Sequence, residues 1–424
     1  MLSVGRLSRQ LVISIALIVG VVACGGGASP TPTVADSISF WVRGANGDYN
    51  KALVNGYNAT HKTQVQLTVV PDGEFIAKFG TSSAAGTVPD LIASDVIYMP
   101  ALTKAGQLTD ITTRVNGLSF AKTLSPAYVR TSTYNGKIYG VPQNTDGSTF
   151  FWNKDLFRKA GLDPEKAPSS WQEIAAASKK ITALGKDTYG FYFSGNCAGC
   201  NAYTFLPLIW ASGGDVLSSD GTKATMDSPA VSDALNFYHQ LWVDKQVPAS
   251  AKTDNGSNFL TAFASGKIGM EGLGAFAIGA LKSQYPNLNF GVGYLPGKSG
   301  GKAAFAGGDV AAIPRGAKHP NESWDFVSWM LSNDTQVEIV AKGGGLTART
   351  DLATNKYSQQ DPRVVVNNQA LEQGHTPYLV RYNDIFNDSN GPWLKVFQQS
   401  VFDGNTAAAV KEAQKTINQI VSGS

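Results

Sequence analysis

The chain has 424 residues, of which 43% are hydrophobic and only 16% charged, against about 25% charged in an average protein. This composition fills real cores and excludes a disordered chain, and the length suits two or three domains or two lobes on one chain. A net charge of +3 leaves no basic excess to displace counterions from a nucleic acid, and four scattered histidines with three cysteines leave little material for a transition-metal site.

Residues 1–10 carry Arg6 and Arg9 and no acid, and residues 11–23 form an apolar run. That run falls short of the ~20 residues a spanning helix needs, so residues 1–23 read as a signal peptide. Its end, Val21-Val22-Ala23-Cys24, resembles a bacterial lipobox, in which the cysteine is lipidated and becomes the new N-terminus. Cleavage of an ordinary signal peptide near Ala23 is the alternative. Residues 24–36, rich in Gly, Ser, Thr and Pro, then form a flexible tether, and the membrane is met through the lipid alone.

Short β-rich runs next alternate with amphipathic helices, the mark of α/β layers. Strands are expected at Ile38–Val42, Val65–Val70 and Asp90–Ala93, and helices at Tyr49–His61, Glu74–Ser83 and Val96–Gly106. This makes one open parallel sheet. Tyr134–Pro142 breaks the rhythm with a turn and a strand, and Thr149–Trp152 reads as a separate strand. Ser169 or Ser170 caps a helix Trp171–Leu184; Pro229–Gln246 is an amphipathic helix. Lys267–Glu271, Asn289–Leu295 and Ala303–Pro314 are strand-like, and the C-terminus is helical.

Cys197 and Cys200 remain after processing, in SGNCAGCNAY. A redox C-x-x-C opens a helix; the Gly and Asn flanks here read as a loop, so a local disulfide is favoured over redox chemistry. With no second Cys/His pair nearby, zinc is not expected, nor any other metal or cofactor. Gly272-Leu-Gly274-Ala-Phe-Ala277 fits the loose dinucleotide pattern. No acid lies between Glu271 and Asp309 to hold a ribose, so a tight turn is the better reading. Gly297-Lys-Ser299-Gly-Gly301 fits a nucleophile elbow, but a strand-like run follows it where a helix is required, which puts Ser299 in a hairpin loop. Asp95, Asp146 and Asp309 fall at or beside strand ends, where they could act as a glycosidase pair or accept bonds from sugar hydroxyls. Trp242, Trp324 and Trp329 lie on amphipathic helices and read as packing residues.

The ordered blocks ISFWV, GTVPDLIASD, GQLTDIT, YNGKIYGVPQNTDGSTFFWNKDLFRKAGLDP, SSWQEI, FASGKIGM, GYLPG, FAGGDVAAI and HPNESWDFVSWM resemble the extracellular solute-binding proteins of bacterial sugar ABC importers. This is family 1, the group that includes maltose-binding protein. The block Gly136–Phe157 is the most specific.

The resemblance implies an α/β fold of two lobes, the periplasmic-binding-protein type II fold, with a ligand cleft at the hinge. Residues 37–142 plus 308–350 would form lobe 1, and 143–307 plus 351–424 lobe 2. It implies a monomeric, non-enzymatic, lipid-anchored protein that captures a carbohydrate outside the cytoplasm and delivers it to an ABC permease. A polyol, glycerophosphodiester or polyamine cargo is the alternative, and a secreted glycoside hydrolase a more distant one. Residue by residue, it places Trp41 and Arg43 at the cleft, Glu74 in the turn into the second helix, and Ser94 and Asp95 at a strand end. Asn144 and Asp146 follow the hinge strand, and Tyr203 supplies a stacking face. Phe276 stands where relatives usually have Trp, Gly308 and Asp309 lie in the second crossover, and Arg349 occupies a polar position. Tyr378 would offer a stacking face from the C-terminal helices.

Overall fold

A computed structural model describes residues 36–423; the expected signal peptide, Cys24 and all but the last residue of the tether lie outside them. In chain order the strands are β1 (Ser37–Arg43), β2 (Gln64–Val70), β3 (Leu91–Asp95), the short hairpin β4 (Thr133–Tyr134) and β5 (Lys137–Ile138), β6 (Val141–Asn153), β7 (Tyr189–Tyr192), β8 (Ile268–Gly274), β9 (Phe290–Gly293), β10 (Leu295–Gly297), β11 (Gly300–Ala312) and β12 (Gly374–His375).

The first three strands pair in parallel in the order β2-β1-β3, with Phe40 beside Leu67 and Leu91. Parallel pairing requires crossovers, and the chain supplies them as α1 (Gly47–Asn58) and α2 (Asp72–Ala85). In β1 the buried Ile38, Phe40 and Val42 alternate with half-buried Ser39, Trp41 and Arg43, which turns the last two toward the opposite face from the Phe40 core. One core packs Phe40 and Tyr57 of α1 against Phe326, with ring centroids 5.6 and 4.9 Å away. In the other half, Phe193 and Phe205 close on Tyr238 at 4.8 and 4.7 Å.

Two long strands join the halves. β11 lies antiparallel to β3 through Asp309–Ala312 and to β6 through Ala306–Ala311. β6 leaves that ladder after Gly147 and continues, antiparallel, against β8 and β9. The path β2-β1-β3-β11-β6-β8-β7 is therefore continuous. The separate strands expected at Tyr134–Pro142 and Thr149–Trp152 are, from Val141 onward, one strand of 13 residues. The polar run QNTDGST between them stays extended because β11 satisfies its backbone on one side.

Ser170 is the cap of the helix Trp171–Thr182: its hydroxyl accepts the Glu173 N–H at 3.3 Å, while the Glu173 carboxylate accepts the Ser169 N–H at 2.7 Å. Gly272 and Gly274 lie inside β8, not in a turn. Ser299 sits in the hairpin between β10 and β11, as its surroundings suggest.

Candidate functional site

A cavity of about 580 Å³ opens where β6 and β11 pass between the halves. Its walls include Arg43, Asn46 and Tyr49 from the end of β1 and the start of α1, Asn144 and Asp146 from β6, Gly308 from β11, Phe276 from the helix after β8, and the loop Gly343–Gly345.

One wall is a charge network. Asp309 is fully buried, and Arg43 donates to it through Nε at 2.8 Å and through a second nitrogen at 2.6 Å. The same guanidinium reaches Asp95 at 3.1 Å and Asp72 at 3.4 Å. Asn46 donates to the other Asp309 oxygen and accepts from Asn144 at 2.7 Å. Burial pushes the Asp309 carboxyl up to about 6; Arg43 opposes the shift and Asp95 adds to it. Burial also works against the Arg43 charge, but Asp95 and Asp309 outweigh it and hold the group firmly protonated. The guanidinium is thus spent on carboxylates.

The other wall centres on Asp146. Tyr203 donates its hydroxyl to the carboxylate at 2.6 Å. Burial raises the Asp146 pKa, restrained by the Tyr203 bond and by the backbone N–H groups of Phe276, Ala275 and Gly147. Among the described residues no Lys, Arg or His pairs with Asp146. Tyr128, fully buried, accepts the Asp146 N–H at 3.1 Å and donates to the Gly307 carbonyl, tying β6 to β11. Gly308 has φ +92°, and a Cβ there would lie 2.1 Å from the Asn144 carbonyl oxygen, so only glycine lets the strands approach at this point. Phe276 is 49% exposed, a ring face open to the cavity.

Bacterial extracellular solute-binding proteins have a family model that matches residues 43–337, well over half of the chain. The chain belongs to this family. The multiple sugar-binding protein of Streptococcus mutans is 28% identical over 360 residues, which cover 82% of this chain and 78% of that protein. A maltooligosaccharide ABC transporter solute-binding lipoprotein of Streptococcus pneumoniae is 26% identical over 357 residues, 80% of each chain. Among solved structures, the sugar-binding protein MalE of Xanthomonas citri superposes with a TM-score of 0.81 at 22% identity, covering 91% of this chain and 98% of that one; the likeness is one of fold, the two-lobed type II fold. As an extracellular solute-binding protein the chain works outside the cytoplasm, by binding rather than turnover. Among the described residues no helix is long and apolar enough to cross a membrane, and no group of His, Cys, Asp or Glu could hold a metal ion.

Of the residues singled out in the sequence of this solute-binding protein, Arg43, Asn144, Asp146, Phe276 and Gly308 line the cavity. Asp309, Asp95 and Tyr203 stand directly behind it through the bonds above. Asp146 and Asp309 sit within strands rather than at strand ends, because both strands run on into the other half. Ser94 is fully buried in β3 with its hydroxyl unpartnered. Trp41 is half-buried, with the Lys78 ammonium 4.6 Å over its ring. Glu74 is exposed in the first turn of α2.

Arg349 is drawn elsewhere. It is 4% exposed, pairs with Asp351 at 2.5 Å, donates to the Leu331 carbonyl at 3.2 Å and lies 4.0 Å over the Phe120 ring. Tyr378 belongs to an irregular stretch before the last helices, not to a helix, and donates to the Thr133 carbonyl at 3.2 Å. Cys197 and Cys200 are disulfide-bonded. Contrary to the loop reading, they open the helix Ala198–Trp210: Cys197 is its N-cap, with Sγ accepting the Cys200 N–H at 3.2 Å. Gly and Asn suit a helix entry as well as a loop.

Asn46, Tyr49, Tyr128 and Gly343–Gly345 went unnoticed in the sequence. The first two follow a strand end, where ligands gather in α/β sheets, and that rule could have found them. Tyr128 carries no local signal.

Proposed function

We propose that this protein captures a carbohydrate outside the cytoplasm and hands it to an ABC import permease, working as a monomer anchored by lipid on Cys24. The observation that carries the reading is the half-buried Asp146 carboxylate on the cavity wall, unpaired with any cation among the described residues and set near the open face of Phe276. A carboxylate can accept bonds from two neighbouring sugar hydroxyls, and an aromatic face covers the C–H patch of the ring. The names of the streptococcal relatives support the same class of cargo. Residues 37–142 with 308–350 then form one lobe and 143–307 with 351–424 the other. Closure about β6 and β11 brings both sets of contacts onto the ligand, so binding shifts the open–closed population.

A phosphodiester cargo is disfavoured by a specific observation: Arg43, the one arginine among the described residues of the cavity wall, is already engaged by Asp309, Asp95 and Asp72, which leaves little positive charge for an anion.

A thermal-shift panel of mono- and oligosaccharides, polyols, glycerophosphodiesters and polyamines tests the cargo. Stabilisation by a neutral saccharide and not by the phosphodiesters or amines is expected; the reverse pattern overturns the carbohydrate reading. Cys24→Ala should leave the protein unprocessed or unanchored, and lipid labelling that persists in this variant overturns the anchor.

A further inference from the structure

The Cys197–Cys200 disulfide does not line the cavity, yet two routes run from it to Asp146. The first is the helix Ala198–Trp210. It starts at the disulfide and presents Tyr203 just after its first turn, where the hydroxyl donates to Asp146 at 2.6 Å. A first helical turn lacks intrahelical partners for its N–H groups and opens readily. Here that turn is held from several sides: Cys197 Sγ accepts the Cys200 N–H at 3.2 Å, Asn201 donates to the Ser194 carbonyl at 2.9 Å, and Thr204 donates to the Cys200 carbonyl at 3.0 Å.

The second route is the segment 254–259, which wraps the sulfur atoms. Gly256 has φ +101°, and a Cβ there would lie 2.9 Å from Cys200 Sγ and 3.1 Å from Cys197 Sγ. Asp254 anchors the segment by accepting from Tyr192 at 2.9 Å and Ser194 at 2.5 Å. At its far end the Phe259 ring stands 6.3 Å from Phe276, whose N–H faces Asp146. The hydroxyl donor of this carboxylate thus sits on the helix that the disulfide opens, and an amide donor lies one ring contact from the segment packed on the disulfide.

We propose that the Cys197–Cys200 disulfide is a positioning element for the binding site, holding Tyr203 and the Phe276 turn in register with Asp146. The assignment of Asp146 to a ligand site rests on the reading above; the positioning itself does not. A bridge that closes so short a loop constrains the unfolded chain least, so its consequence is local order rather than global stability.

The test needs no ligand and is therefore independent of which solute is carried. The Asp146 carboxyl carbon is followed by NMR through a pH titration. Six samples are compared: the oxidised protein, the same protein reduced with a phosphine, the Cys197→Ser/Cys200→Ser variant, and each of these three carrying Tyr203→Phe. Among the described residues, the titratable side chains bonded to Asp146 are Tyr203, from the helix, and Tyr128, from the segment Pro126–Thr131; burial raises both well above the range read. A bond donated to the ionised form holds a carboxyl down. Tyr203→Phe should therefore raise the midpoint by about one pH unit, and loss of the disulfide should raise it by a comparable amount. Combining the two should add little. A midpoint unmoved by reduction, or a shift that adds in full to that of Tyr203→Phe, overturns the proposal. The reduced wild-type protein supplies the answer even where the serine variant fails to fold.

Discussion

Arg43 and Asp309 stand 266 positions apart in the chain, and the guanidinium grips the buried carboxylate with two nitrogens, at 2.8 and 2.6 Å. This contact joins the end of β1 to the middle of β11. Removing one partner of a buried pair leaves an uncompensated charge, at a cost of about 3–5 kcal/mol. Arg43→Ala should therefore lower stability in urea by that order, and Arg43→Ala/Asp309→Ala should recover part of the loss. A single variant that unfolds at the wild-type midpoint would show that water, not Arg43, satisfies Asp309.

The same carboxyl predicts a pH dependence. Its pKa in the folded protein lies at about 6, above its ordinary value of 3.8, so between those values the unfolded chain gives up this proton first. Stability contributed by Asp309 is greatest below pH ~4, falls by at most about 1.4 kcal/mol per pH unit up to ~6, and is level above that. Unfolding curves of the wild type and Asp309→Asn from pH 4 to 7 check this. The difference between them should slope within that window; a flat difference removes Asp309 as its source.

Asp146→Ala should weaken binding of the saccharide that emerges from the thermal-shift panel by about tenfold or more, because a bond to a charged acceptor is worth about 1.5–3 kcal/mol. Tyr203→Phe should cost less, since it disturbs the carboxylate without deleting it. Calorimetric titration beside a melting curve separates affinity from stability. Undiminished affinity with a normal melt would place the ligand elsewhere.

Glu271 in β8 is 1% exposed, and neither carboxyl oxygen has a hydrogen-bond partner of good geometry. Burial, with Asp254 nearby, raises its pKa well above the usual range. A raised carboxyl costs stability increasingly as pH climbs past its unfolded value. Glu271→Met should therefore stabilise the protein by roughly 1–3 kcal/mol, the cost of an unsatisfied buried polar group. The gain should be larger at pH 8 than at pH 4. Destabilisation at both would mean that Glu271 has a partner, such as a buried water.

Much of this was legible in the sequence because burial leaves a period. Ile38, Phe40 and Val42 alternate in β1, and Val410, Ala413 and Ile417 recur along the last helix, Thr406–Ser422; both patterns survive folding. Direction is what residue type conceals. Arg349 is as polar as Arg43, but Asp351 lies two residues along the chain and captures it. The Gly and Asn around Cys197 suit a loop and a helix start equally, so the flanks could not tell one from the other. Tyr128 acts through backbone groups of Asp146 and Gly307 that only the paired strands bring together.

Because β6 and β11 each feed both halves, the two halves share an unbroken ladder and cannot separate without tearing it. The closure proposed above would turn on that ladder, with displacement growing with distance from it. Asn144, Asp146 and Gly308 belong to these shared strands, and the loop Gly343–Gly345 is moored beside them, since the next residue, Leu346, bridges Thr145 of β6 and accepts its hydroxyl at 3.0 Å. The molecule thus offers an incoming solute a preassembled floor. Substitutions on that floor should act on how strongly a solute is held rather than on how quickly it is enclosed.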